Sequence, residues 1–104
     1  MTRMSAKQRK EQFIKTGLDL AARGHYLTVR GQNVTDKVGV STGLLQNYFA
    51  TLLHFRKAIV RKAIKDGQLQ VIAQAMGARD PLVKRCPEHL KRAALEGIKE
   101  SYGL

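Results

Sequence analysis

Tryptophan is absent from this 104-residue sequence, cysteine occurs once, proline twice, and only 8 residues are acidic. Each scarcity excludes a class of protein. A lone thiol, Cys86, cannot close an intramolecular disulfide, so a disulfide-stapled scaffold is excluded and a reducing cytoplasm is expected. With carboxylates so few, no pair stands out for acid–base work. No Ser, His and carboxylate set and no glycine-rich phosphate loop is present either. His25, His54 and His89 lie far apart and lack ligand spacing with one another or with Cys86, so no metal is expected. The chain is therefore not read as an enzyme, and no cofactor is expected. No run approaches the roughly 18 apolar residues that span a bilayer. The first residues are polar and basic rather than an apolar leader, so a soluble chain with no membrane partner is expected. No stretch alternates well enough for a strand.

What the sequence has is positive charge. Nineteen Lys and Arg give a net charge of +11 and an isoelectric point near 10.3. Such an excess attracts polyanions and speeds association with them. Charge alone leaves nucleic acid, an acidic protein and an anionic membrane surface open. The cations recur along the chain, from Arg3, Lys7, Arg9 and Lys10 through Arg56, Lys57, Arg61 and Lys62 to Lys84, Arg85, Lys91 and Arg92. That spread fits a folded cationic surface better than a disordered basic arm. A chain of this length suits one domain, 1–104, and buries a limited share of its surface, so a second copy would help to stabilise it.

Periodicity predicts an all-α fold of about five helices. Lys7 to Arg23 places Phe13, Ile14, Gly17, Leu18, Ala21 and Ala22 on one face. Gly24 is expected to end that helix in a left-handed conformation, and Gly17 within it to mark close packing of another helix. Thr28 is a candidate cap for a second helix over about Val29–Val38, ended by Gly39. Ser41 caps a third, to about Phe49. Thr51 caps a fourth from Leu52, with Phe55, Ile59 and Ala63 inward. This helix is drawn as long, continuing through Leu69, Ile72 and Met76, with Asp66-Gly67 as a possible interruption. Gly77 to Pro87 breaks the pattern before a last helix, about Pro87–Ser101, carrying Leu90, Ala94, Leu95 and Ile98. These late apolar stripes are read either as core or as a dimer seam.

The stretch Val34 to Phe49 carries the functional reading. A helix-turn-helix needs apolar side chains facing inward on both sides of a tight turn. Val34, Val38, Val40, Leu45 and Tyr48 fill those places over about residues 28–49, and Gly39 supplies the turn. The opposite face of the third helix is Thr42, Gly43, Gln46 and Asn47. Amides make paired hydrogen bonds with adenine, and small residues let a helix approach the groove closely.

The run Gly39-Val-Ser-Thr-Gly-Leu-Leu-Gln-Asn-Tyr-Phe49 resembles the DNA-binding module of TetR-family regulators. The weaker flanks, Leu18 to Gly24 and Leu53 to Ile64, extend the likeness over about Glu11–Ile64. The resemblance implies a third helix in the major groove and a dimer on a near-palindromic double-stranded DNA site. By position it implies that Thr42, Gly43, Leu44, Gln46 and Asn47 face bases, with Ser41 at the helix start. Tyr48 would reach a phosphate, helped by Lys37, Thr28 and Arg30. Tyr48 can equally be core through its ring, and Leu44 either meets a thymine methyl or is an ordinary helix leucine. The family's phosphate-binding Lys at the start of the fourth helix is replaced by Leu52, with Arg56 or Lys57 as substitutes. Gly31 stands where a better helix former is usual. About forty residues after Ile64 are too few for an inducer pocket of several hundred Å³, so a short form without small-molecule control is expected, of a kind carried by phages or plasmids. The function expected is a nucleoid-associated bacterial transcriptional regulator, most simply a repressor. A replication or partition protein, and a basic adaptor for an acidic partner protein, are the alternatives.

Overall fold

The computed structural model describes residues 3–101 and 103, and among these the ordered elements are helical, with no strand. The first helix, α1 (Ala6–Arg23), opens with a reciprocal cap. The Gln8 amide donates to Ser5 Oγ at 3.1 Å and the Ser5 amide to Gln8 Oε1 at 2.9 Å, which satisfies two donors that the helix start leaves unpaired. A 3₁₀ turn, Tyr26–Thr28, leads to α2 (Gly31–Val38), α3 (Thr42–Gln46) and α4 (Leu52–Asp66). Then come α5 (Leu69–Gly77), a second 3₁₀ stretch, Pro81–Arg85, and α6 (Glu88–Ser101).

There are thus six helices among the described residues, and the long fourth helix expected from periodicity is two. Gly67 adopts the left-handed conformation at φ 70°, and the Gln68 amide donates back to the Ala63 carbonyl at 2.8 Å. That geometry ends α4. The Gln68 side chain then accepts from the Gln70 amide at 3.0 Å and starts α5 afresh. The new register turns Val71, Ile72 and Ala75 into the core, whereas Leu69 of the expected stripe is exposed.

Helix α1 lies along α4, and Gly17 is where they touch. A β-carbon there would stand 2.7 Å from Phe55 Cζ and 2.8 Å from Ile59 Cδ1, so only glycine admits α4 this closely. Phe13, Leu18, Ala21, Val34, Phe55, Ile59, Val60, Ala63 and Ile72 close the core around that contact. Helix α6 packs on α5 through buried Ala94 and half-buried Leu90, while Leu95 remains exposed.

Two further expectations change, one for a long-range reason and one for a local one. Gly24 ends α1 at φ −136°, ψ −110°, not in the left-handed region. The Gln74 amide of α5 holds this corner, donating to the carbonyls of Ala21 at 2.8 Å and Gly24 at 3.0 Å and accepting from the Tyr26 amide at 2.9 Å. Thr28 does not cap α2. Its hydroxyl donates back to the His25 carbonyl at 2.8 Å, buried Val29 stays extended, and Arg30 is the residue before the helix. Arginine has no acceptor, so only the return half of a capping box forms, with the Arg30 amide donating to Asn33 Oδ1 at 3.1 Å. No helix among the described residues is long and apolar enough to cross a membrane.

Candidate nucleic-acid interface

Helices α2 and α3 are joined by Gly39, Val40 and Ser41. Gly39 sits at φ 86°, ψ 35°, and its amide and that of Val40 both donate to the Thr35 carbonyl, at 2.8 and 3.0 Å. Nothing lies within 4 Å of a would-be β-carbon there, so the backbone conformation alone demands glycine. Ser41 precedes α3 in an extended conformation, and its side chain makes no capping bond.

Helix α3 has only 5 residues, ending before the expected Phe49. Asn47 and Tyr48 form a tight turn, in which the Tyr48 amide donates to the Leu45 carbonyl at 3.0 Å. So short a helix is unstable in isolation, and its neighbours hold it. Leu45 and Phe49 are buried. The Phe49 ring meets Phe55 edge-on at 4.9 Å between centroids, and the Tyr48 ring meets Phe13 at 5.7 Å. Gly31 is explained here as well. A β-carbon on it would lie 3.1 Å from Leu45 Cδ2, so the residue that weakens the start of α2 lets α3 pack against it.

This packing leaves Ser41, Thr42, Gly43, Gln46 and Asn47 exposed, with Leu44 and Tyr48 half-buried against the core. Gly43 has open space where a β-carbon would be. Thr42 and Gln46 share a groove with Gly31, Gln32, Thr51 and Leu52, between the starts of α2 and α4. Among the described residues no charged one lines it. Gln32 was not singled out from the sequence, because only the approach of α3 across Gly31 brings it beside Gln46.

The flanking residues divide. Thr28 and Lys37 lie together on a second groove with Leu20, Asn33 and Asp36, on the α1 side of α2. Arg30 is exposed beside them in sequence. Arg56, a proposed substitute for the missing lysine, is otherwise engaged. Its Nε and Nη2 donate to the Val29 carbonyl at 3.2 and 3.0 Å, latching α4 to the segment before α2. Lys57 is half-buried near Leu27 and Leu53. Lys10 is the cation that the fold brings to the end of α3, its Nζ 5.5 Å from the centroid of the Phe49 ring.

Elsewhere among the described residues, Cys86 and Tyr26 depart from their ordinary titration. Burial pushes the Cys86 thiol up, partly offset by Lys91, so it is held as an inert thiol. Burial, together with a hydrogen bond to Asp80 and its negative charge, pushes the Tyr26 phenol up to about 12. No group of three potential metal ligands occurs among the described residues. The outward face of α3 offers hydrogen-bonding groups and an open groove. Compared with protein-family models, curated proteins and solved structures, the chain shows no significant match to any.

Proposed function

We propose that this chain is a sequence-specific double-stranded DNA-binding protein, a transcriptional regulator acting most simply as a repressor, with α3 inserted in the major groove. One observation carries the reading. A short helix is braced from behind by Leu45, Phe49 and Tyr48 and turns an uncharged face of hydroxyls, glycine and amides outward, on a chain of net charge +11.

The division of labour follows from physics. Lysines and arginines neutralise phosphates and release counterions, which gives affinity without sequence preference. Gln46 and Asn47 then discriminate by pairing with base edges, while Gly43 and Thr42 let the helix approach. Thr28, Arg30, Lys37 and Lys10 are the backbone contacts of this reading, and Tyr48 adds its hydroxyl at the margin. The protein acts as a dimer, so the site is an inverted repeat with half-sites about one helical turn apart. The second copy meets the first across α5 and α6, where Leu69, Ala73, Ala94 and Ile98 line a groove without charged residues. A like-charged copy approaches there with least repulsion.

The test is selection from random duplex DNA, followed by binding of the winner and a scrambled control across a salt series. The expected result is one inverted repeat bound about 10³-fold or more above the control. Binding that shows no enrichment and simply vanishes as salt rises would overturn the proposal.

A further inference from the structure

A third groove runs between α1 and α4, on the side of α1 turned away from α2. It is lined by Glu11, Ile14 and Lys15 of α1 and by Ala58, Arg61, Lys62 and Lys65 of α4. Ideal helical geometry puts Ile14 about 120° round α1 from Leu20, the α1 residue in the groove shared with α2. No residue of this groove belongs to the α3 surface or its flanks. Its floor is the half-buried pair Ile14 and Ala58, and its rims carry four cations against one carboxylate. Among the described residues only Lys62 of these cations is in an ion pair, with Asp66 at 3.3 Å.

We infer that this groove docks an acidic amphipathic helix of a partner protein, independently of what α3 binds. Three features select that occupant. The concave apolar floor gives an apolar ridge something to cover, which a phosphate backbone would leave empty and a flat lipid surface would not enter. The α4 rim, with Arg61, Lys62 and Lys65, calls for carboxylates along that side of the ridge, while Lys15 beside Glu11 offers one more cation on the α1 rim; a second copy of this chain would instead bring more positive charge. Ala58 to Lys65 spans two helical turns, about 10 Å, the length over which apolar residues at i, i+3, i+4 and i+7 form one ridge.

The probe is a synthetic helical peptide with leucines at those four positions and glutamates flanking them, titrated into the full chain labelled with ¹⁵N. Amide shifts are expected to centre on Ile14, Lys15, Ala58, Arg61 and Lys65. The double variant Arg61→Glu, Lys65→Glu is expected to weaken the peptide at least tenfold. Both side chains are exposed, so the thermal melt should stay in place, and Lys15→Glu on the other rim gives an independent second reading. Four outcomes overturn the inference. The first is that the charge reversals leave affinity unchanged, and the second is that polyglutamate without an apolar ridge binds equally well. The third is that a random-sequence duplex displaces the peptide from these residues, making the groove a phosphate track. The fourth is that phosphatidylglycerol vesicles do the same, making it a membrane contact.

Discussion

The two grooves that flank α4 share a wall and differ in their chemistry. On the α3 side, Gln32, Thr42, Gln46 and Thr51 present amides and hydroxyls with no charge. On the α1 side, Lys15, Arg61, Lys62 and Lys65 surround an apolar floor. On the proposed reading, net charge therefore does not locate the surface that discriminates. Charge acts over a Debye length and attracts any polyanion, whereas an amide distinguishes partners only at hydrogen-bond distance. A protein that uses both gains by keeping them apart, because lysines crowded beside Gln46 would bind phosphate in any register.

The largest disturbance of this comparison is the removal of the shared wall. Gly17→Val places methyl groups where Phe55 and Ile59 already stand 2.7 and 2.8 Å from a bare β-carbon. Both of those side chains are buried and cannot step aside. Overpacking of this kind is expected to cost about 3 kcal/mol. Chemical denaturation should show the loss, and both grooves should lose their partners together. A variant that keeps wild-type stability would mean that α1 and α4 are not held as closely as described.

Next in size is the chemistry of one groove alone. Gln46→Ala and Asn47→Ala should each weaken the selected duplex by about 1–3 kcal/mol. Stability should shift by no more than about 0.5 kcal/mol, because both residues are exposed. The scrambled duplex should be little affected and the α1-side peptide not at all. Equal losses on both duplexes would show that these amides contribute no discrimination. Lys10→Ala sharpens the same contrast from the side of charge. It removes a cation–π contact with Phe49, worth about 0.5–1 kcal/mol of stability. If Lys10 meets a phosphate, specific and scrambled duplexes weaken alike, and the slope of log affinity against log salt falls by about 1.

The comparison also marks what local sequence pattern discloses. The inward face of α1, the capping threonine of α4 and the glycine turn between α2 and α3 were legible, because each depends on residues within a few positions of one another. So was the close approach at Gly17, since a glycine inside an amphipathic helix has few other reasons to be there. The break at Gly67 was visible only as an alternative, and its choice over a continuous helix moved the α5 core from Leu69 to Val71 and Ala75. At Gly24 the end of α1 was legible but its conformation was not. Gln74 sets it from 50 residues away, and nothing in α5's own periodicity distinguishes that glutamine from a solvated one. Arg56 is the same lesson at the candidate site. It lies where a phosphate contact was expected, but the carbonyl of Val29 occupies its guanidinium. The outward side chains of α3 were identified from spacing, whereas the neutral groove they share with Gln32 required the packing of α3 on Gly31.

The smallest expected effect concerns Tyr26, which lines neither of the two grooves yet fixes the corner from which α2 departs. Its hydroxyl donates to Asp80 Oδ2 at 3.1 Å, joining the α1–α2 connection to the segment after α5. Tyr26→Phe should cost about 0.5 kcal/mol at neutral pH, the low end for one hydrogen bond, because half-buried Asp80 still reaches water. The pH dependence is the sharper readout. The phenol loses its proton at about 12 in the folded chain, against an ordinary value of 10.0. The folded state therefore holds this proton more tightly than the unfolded state. The linked stability is complete below pH 10 and drains away as the pH rises towards 12. Urea midpoints should thus fall more steeply for the wild type than for Tyr26→Phe across that window, closing the gap between them and then reversing it. An absorbance titration should lose one late-titrating phenol in the variant. If the two midpoints fall in parallel, the phenol holds its proton no more tightly in the folded chain than in the unfolded one, and neither its burial nor Asp80 acts on it as described.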